Sequence, residues 1–177
     1  ALAAACGRLS GPDPAAWPGR RETCTEPAQR RGGGVDMATH GLLVPMTALV
    51  AWSLVIWVWL YATRLPAMVR LRIRPEAGRF AGATNAVMPP AARQVADNYN
   101  HLMEQPTVFY AICVVLQLLG RGADPLDLAL AWAYVGGRVV HSLVQCTFNH
   151  VPTRFAVFVV SSLCLAGLVL RAALAMV

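Results

Sequence analysis

The feature that most limits the possible folds is a run of twenty residues, 42–61, without a single charged side chain. A helix of that length spans the roughly 30 Å hydrocarbon core of a bilayer. The run ends at Arg64 and Pro66. Aromatic residues occur along it and near its end, as they often do at membrane interfaces: Trp52, Trp57, Trp59 and Tyr61. We therefore predict a first transmembrane helix here.

Three further helices are predicted after this run. A polar connection, residues 67–94, leads to Pro89-Pro90, and the helix that follows is expected to run to Leu119, because proline is favoured in the first turn of a helix. Two more spans are expected, from about Leu126 to Thr147 and from Phe155 to about Leu174. The fold class is therefore all-α, an integral membrane four-helix transmembrane bundle that occupies residues 37–177.

Residues 1–36 are rich in Gly, Pro and Arg and contain no apolar run long enough for a core. We expect this extension to be disordered or not to be part of the native protein. Met37 stands just before the first span, as an initiator would, and residues 30–34 read as codons could be a ribosome-binding site. The N-terminal sequence of the natural protein tests this hypothesis.

Composition and charge agree with a membrane protein. Only 14% of the residues are charged, against about 25% in ordinary soluble domains. The net charge of +6 comes from arginine, since the chain has no lysine. These arginines stand beside apolar spans. This position is typical of residues that orient a protein in a membrane, and not of a nucleic-acid-binding face. We therefore expect membrane lipid, and no nucleic acid, as a partner.

The distribution of arginine predicts the orientation. Six arginines fall in or beside the first connection, at positions 64, 70, 72, 74, 79 and 93, whereas the second connection has only Arg121. The positive-inside rule places the first connection in the cytoplasm. The third connection, beside Arg154, then faces the cytoplasm too, and both termini face the opposite side.

The second helix has a polar face that lipid would not tolerate. Its apolar part, Pro106 to Leu119, is too short to cross a bilayer, so the span must include the polar residues before it. Spacings of three and four put these residues on one face: Asp97, Asn100, His101 and Glu104. A charge near the bilayer centre costs at least about 2.5 kcal/mol. This face must therefore point toward protein or water.

The third span carries a matching set, since Arg138, His141 and Gln145 also share a face. Counting residues from the cytoplasmic ends places Glu104 and Arg138 at similar depth. We predict that the two form an ion pair, inside the bundle or between subunits, in a polar chamber near the cytosol. Pro106 should leave the carbonyl of Leu102 free for polar groups. Arg64 and Arg154 should complete a ring of cations around this layer.

Simpler explanations of these residues stay open. Buried ionic pairs often only fix helix register. His101 and His141 are more typical of packing or hydrogen bonding than of a metal site, which needs three or four ligands, so no metal site is predicted. Small residues at four-residue spacing in the third span, Ala129, Ala133 and Gly137, favour close helix packing.

These motifs resemble a known family. The stretch from Asp97 to Pro106, DNYNHLMEQP, followed by Phe109-Tyr110, is similar to the second-helix motif of the MAPEG family, the membrane-associated proteins in eicosanoid and glutathione metabolism. Tyr134 with residues 138–142, Asn149 and residues 154–155 resembles its third-helix and fourth-helix signature. The resemblance covers about residues 40–175 and points to a bacterial-type member in the inner membrane.

The resemblance implies a homotrimer that binds glutathione, as co-substrate, between neighbouring subunits near the cytoplasmic face. A lipophilic small-molecule substrate would enter from the bilayer. By this resemblance Asn100 and Glu104 would hold the glutathione backbone, Arg138 would orient Glu104 or the ligand, and Arg154 would stabilise the thiolate as the catalytic residue. His141 and Arg64 would complete the binding site.

Two positions depart from the family pattern. His101 stands where glutathione-using members have asparagine, and Asp97 stands where they have arginine. An aspartate there would repel the carboxylates of glutathione. The resemblance as a whole still makes a glutathione-dependent transferase or peroxidase acting on lipophilic substrates the leading hypothesis. The alternative is a non-catalytic membrane protein whose buried polar layer only supports trimer assembly.

Overall fold

The computed structural model describes residues 40–79, 82–84 and 86–177 of the chain. These form four long helices: α1 (Leu43–Arg70), α2 (Pro90–Leu118), α3 (Pro125–Cys146) and α4 (Val151–Met176). A short 3-10 helix, Pro75–Gly78, lies in the first connection, and no strand occurs in the described ranges. The all-α four-helix fold is confirmed. The hypothesis about residues 1–36 concerns residues outside those that the structure describes.

The outer surface of the bundle is apolar, which is the reverse of a soluble protein. Large aliphatic side chains are exposed along the outer faces of α1 and α4, among them Leu54, Val58, Val160 and Leu163. Exposed apolar area this continuous marks a surface that contacts lipid or protein. Both α1 and α4 are also long and apolar enough to cross a membrane. The bundle is therefore that of a membrane protein.

The core is a column of apolar side chains to which all four helices contribute. Leu49 from α1, Phe109 from α2, Tyr134 from α3 and Leu168 from α4 are fully buried in it. The rings of Phe109 and Tyr134 stack with centroids 4.5 Å apart. Ring pairs at this separation contribute about 0.5–1.5 kcal/mol beyond the burial of their area. The column holds α2 against α3.

Helix α1 is longer than the sequence predicted, since it continues through Pro66 to Arg70. It ends in a Schellman motif: the backbone N–H of Ile73 donates to the carbonyl of Met68, and that of Arg72 donates to Val69. Arg72 takes the left-handed conformation that the motif requires, with φ of 51°. These two hydrogen bonds satisfy the carbonyls of Met68 and Val69. Helix α1 therefore ends at Arg70, one turn beyond Pro66.

Helices α3 and α4 approach closely at Gly137. A Cβ atom placed there would lie 2.1 Å from the Oγ of Ser161, whose hydroxyl donates to the carbonyl of Val157 at 2.8 Å. No atom lies within 4 Å of the corresponding position on Gly136. The close packing expected of the small residues in α3 is therefore present at Gly137.

At the end of the bundle away from the first connection, four charged side chains form a closed network. Asp124 caps α3 by accepting from the backbone N–H groups of Leu126 and Asp127. Arg121 donates to both carboxylates, at 2.8 Å to Asp127 and 3.0 Å to Asp124. Arg171, near the end of α4, also donates to both. The network joins the α2–α3 connection to α4, and the buried Asp127 is paired from two sides.

We predict that the Gly137→Ala variant loses about 1–3 kcal/mol of stability, the usual cost of inserting atoms into a packed interface. Gly136→Ala is the matched control and should be neutral or stabilising by up to about 1 kcal/mol, because alanine is the better helix former. Thermal unfolding in detergent measures both. Adding Ser161→Ala to Gly137→Ala should restore part of the loss, since it removes the atom that clashes. Equal stability of the two glycine variants would contradict the close approach.

The capping network predicts acid sensitivity. Hydrogen bonding from the backbone N–H of Asp127, together with Arg171 and Arg121, lowers the pKa of Asp124 from its ordinary value of 3.8. A carboxylate with a lowered folded pKa stabilises the protein above its unfolded pKa, and this contribution is lost as the pH falls through the folded value. Asp124→Asn keeps a capping side chain without the charge. Its melting temperature should be below the parent's at pH 7, and the gap should close below about pH 4. A gap independent of pH would contradict this assignment.

Candidate functional site

The polar face predicted for α3 is present and points into the bundle. Arg138, His141 and Gln145 are all buried, with 1%, 3% and 6% of their surface exposed. Tyr134 and Ser142 are buried with them. Spacings of three and four along a helix explain why these side chains share one side. The prediction that the three residues share a protected face is confirmed.

Arg138 reaches across to α2. Its Nη2 donates to the backbone carbonyl of His101 at 2.9 Å. This carbonyl lies one residue before Leu102, whose carbonyl the sequence predicted to be free, and in the turn that precedes Pro106. Proline lacks an N–H and its ring displaces the carbonyls of the preceding turn. A buried cation therefore meets the backbone of α2 near its proline, although not at the residue predicted.

A small cavity of about 180 Å³ opens beside this contact, where α2, α3 and α4 meet. The imidazoles of His101 and His141 lie on it, with ring centroids 5.1 Å apart. Phe158 stands 5.2 Å from His101, and the guanidinium carbon of Arg138 lies 6.0 Å from the centre of the Phe158 ring. Val151, Arg154 and Phe155 complete the lining. The cavity thus combines one cation, two imidazoles and aromatic walls.

Arg154 is held at this cavity by the turn between α3 and α4. Its Nη1 donates to the Oδ1 of Asn149 at 2.9 Å. Asn149 is in the left-handed conformation, with φ of 46°, which asparagine tolerates better than most residues. The backbone N–H of Arg154 donates to the carbonyl of His150. The turn therefore positions the guanidinium, which stays partly exposed.

Glu104 does not pair with Arg138 within the chain, so the predicted ion pair inside the bundle is wrong. Its side chain is 72% exposed, and its Oε2 lies 3.4 Å from the Nδ1 of His101. Asp97 and Asn100 are exposed as well. Three residues of the predicted polar face, Asp97, Asn100 and Glu104, thus point out of the bundle, whereas Arg138 points in. The two charges share one layer, since both contact His101. A pair between subunits stays a prediction.

Arg64 is not part of the predicted ring of cations. Its Nη2 donates to the hydroxyl of Thr84 at 3.0 Å, and Thr84 is buried in the first connection. Arg64 does not line the cavity. Because α1 continues to Arg70, Arg64 lies within the helix and faces the folded first connection, where it bonds Thr84.

Several buried polar atoms around Arg138 have no hydrogen-bond partner among the described residues. They are the Nε and Nη1 of Arg138, the Nδ1 of His141, the hydroxyls of Tyr134 and Ser142, and the Oε1 of Gln145. Buried polar groups are nearly always hydrogen-bonded, because an unpaired one costs about 1–3 kcal/mol. These atoms lie along about three turns of α3, and those of Arg138 and His141 fit a site that takes up polar ligand groups.

The sequence profile of the MAPEG family matches residues 42–174, which include all four helices and this layer. The chain belongs to the MAPEG family. It is therefore a membrane protein of a family that serves eicosanoid and glutathione metabolism. Searches of curated proteins and of solved structures each found no match.

Two features of this MAPEG site were not predicted from the sequence. Phe158 faces both imidazoles, and the interaction of Asn149 with Arg154 fixes the mouth of the cavity. Phe158 follows Arg154 by four residues, so the helical spacing that identified the other faces could have found it. The Asn149 contact depends on a turn conformation for which an asparagine before a break is only a weak signal.

Arg138 is buried with a single hydrogen bond, and this predicts an unusual result for Arg138→Met. The change keeps most of the volume and removes the desolvation cost of a buried charge, which should offset the one hydrogen bond that is lost. We therefore expect a melting temperature in detergent at or above that of the parent. Arg138→Ala, the matched control for volume, should cost about 2–5 kcal/mol. A loss of more than about 3 kcal/mol in Arg138→Met would mean that the chain itself satisfies the charge.

Proposed function

We propose that this MAPEG protein binds glutathione or a related thiol and acts as a transferase or peroxidase on lipophilic substrates. The observation that carries the proposal is the cavity bounded by Arg154, His101 and His141, with the buried Arg138 directly behind the two imidazoles. Arg154 on the lining and the buried Arg138 nearby, with two unpaired guanidinium nitrogens, suit an anion. The guanidinium fork in particular matches a carboxylate.

The cavity suits one end of such a ligand. Sites for drug-sized molecules measure about 300–1,000 Å³, whereas this cavity measures about 180 Å³. The remainder of a tripeptide would then lie along the exposed face of α2, where Asn100 and Glu104 stand. In this arrangement Asn100 and Glu104 hold the peptide backbone, and Arg138 and His141 act from inside the bundle.

The same face argues for assembly with neighbouring copies. Glu104 is the fifteenth of the 29 residues of α2, so it stands near mid-helix, where lipid contact with a charge is costly. Asp97 and Asn100 are exposed along the same face. A homotrimer in which α2 faces its neighbours would remove these groups from lipid and place the ligand between subunits.

A second cavity could take the lipophilic substrate. It measures about 330 Å³ and lies between α1 and α2, where Leu54, Trp57 and Met103 supply apolar walls. Ser53, Tyr99 and Tyr110 contribute polar atoms to its lining. The lining residues Tyr99 and Met103 directly precede Asn100 and Glu104 along α2, and we propose that the cavity lies beside the thiol site. A substrate dissolved in the bilayer would reach it from the side.

Glutathione supplies a nucleophilic and reducing thiol when bound. Within the chain, Arg154 has the main catalytic role, because a nearby cation lowers the pKa of a thiol and raises its thiolate fraction. Asn149 positions the Arg154 guanidinium through its Oδ1. The partly buried ring of Phe158 forms an apolar wall of the cavity, and an apolar wall strengthens the electrostatic effect of Arg154.

We also propose that all four helices cross the membrane, with the site facing the cytoplasm of a bacterial inner membrane. The arginine-rich first connection and Arg154 lie at one end of the bundle, whereas Arg121 and Arg171 lie at the other. The positive-inside rule favours the cytoplasm for the richer end. Arg121 and Arg171 are in addition both paired to carboxylates.

One observation favours a second candidate function. Asp97 is exposed on the α2 face that the tripeptide would follow, and it would repel the carboxylates of glutathione. In this alternative the protein is not an enzyme, and the polar layer only supports trimer assembly. The two functions differ in what Arg154 does, because assembly does not need it.

Calorimetric titration of the purified assembly in nanodiscs with glutathione tests the proposal. We expect binding that falls by about tenfold or more in Arg154→Gln, because the cation next to the thiolate is lost, while the assembly keeps its mass. Arg79→Gln, at an exposed arginine of the first connection, is the matched control and should bind like the parent. Glu104→Gln should also weaken binding.

The outcome that supports the alternative is different in each measurement. Glutathione would then not bind the parent, and Glu104→Gln would mainly reduce the mass of the assembly in detergent. Binding of glutathione that is unaffected by Arg154→Gln would contradict the role assigned to Arg154.

A further inference from the structure

We propose that the end of the bundle formed by α1 and α2 holds an anionic phospholipid, in a groove separate from the thiol site. The groove has a volume of about 500 Å³. Its walls come from the last turns of α1 and the first turn of α2, and they are small or apolar apart from one arginine: Ala62, Pro66, Arg70, Pro89, Ala91 and Ala92.

The walls suit an acyl chain. Alanine and proline side chains leave an open channel, and Ala62, Pro66 and Ala91 are exposed along it. The floor is firm, because Ala67 and Ala92 are buried against Met88 in a small core of their own. Met68 and Ile73 pack on the same core. The groove is therefore a fixed feature of the α1–α2 junction.

The polar end of the groove is cationic. Arg70 lines it, and Arg72, Arg74, Arg79 and Arg93 are exposed in the neighbouring connection and at the start of α2. Among the described residues none of these arginines forms an ion pair. Glu76 is the one acid in residues 64–93. An apolar channel with Arg70 on its lining and an arginine-rich segment next to it in the chain is complementary to a lipid with a negative headgroup.

The start of α2 adds to this field. Pro89 and Pro90 begin the helix without a side-chain cap, so the N–H groups of Ala91 and Ala92, which line the groove, have no capping side chain. The first turn of a helix carries a partial positive charge that favours anions. Basic pockets between transmembrane helices on the cytoplasmic side are known to take anionic headgroups. The groove lies at the end of the bundle that the arginine count assigns to the cytoplasm.

Native mass spectrometry of the detergent-solubilised assembly tests the proposal, with two lipids of equal acyl chains, dioctanoyl phosphatidylglycerol and dioctanoyl phosphatidylcholine. We expect the parent to bind phosphatidylglycerol about tenfold more tightly. The double variant Arg70→Gln, Arg93→Gln should lose this preference, since two cations near a headgroup together contribute about 30-fold. Glu76→Gln, the control in the same segment, should keep or increase it.

A second variant separates a groove from diffuse charge attraction. Ala62→Phe fills the channel but leaves every arginine, so it should weaken both lipids by about tenfold. Glycerol 3-phosphate, which has the anionic group without chains, should not displace the lipid at equal concentration.

Four results would overturn the proposal. They are equal binding of the two lipids by the parent, a headgroup preference that survives the double arginine variant, displacement by glycerol 3-phosphate, and loss of assembly mass in Ala62→Phe. The last would show that a second copy of the chain occupies the groove.

Discussion

A guanidinium buried at the meeting point of three helices imposes the main constraint on this structure. Arg138 is 1% exposed and makes a single hydrogen bond within the described chain, to the carbonyl of His101. A buried charge with so few partners is expensive unless something else meets it. Two imidazoles, the aromatic ring of Phe158 and further polar side chains of α3 lie near it.

The charged side chains are paired at one end of the bundle and mostly unpaired at the other. At one end Arg121, Asp124, Asp127 and Arg171 satisfy one another, and their network joins α3 to its neighbours. At the other end the cations outnumber the acids and stay unpaired among the described residues. A closed network stabilises a fold, whereas an open one is available to ligands. This contrast supports placing function at the arginine-rich end.

Much of the fold could be predicted from the sequence, because uncharged runs and helix-opening prolines are local signals. The inward face of Arg138, His141 and Gln145 followed from spacing alone. The Glu104 pairing could not be predicted, since spacing shows that residues share a face but not which neighbour that face meets. Asp127 and Arg171, 44 residues apart, were missed although each is a charge inside an apolar helix, the same signal that identified Arg138.

The most direct test of the central claim is a solid-state NMR measurement of the contact between Arg138 and His101 in lipid. Protein with ¹⁵N only in the arginine guanidino groups and ¹³C in the histidine carbonyls gives a rotational-echo dephasing signal only where the two are close. We predict dephasing of one carbonyl, that of His101, consistent with the 2.9 Å hydrogen bond, and its disappearance in Arg138→Met. Absence of dephasing in the parent protein, or dephasing that survives this substitution, would contradict the account.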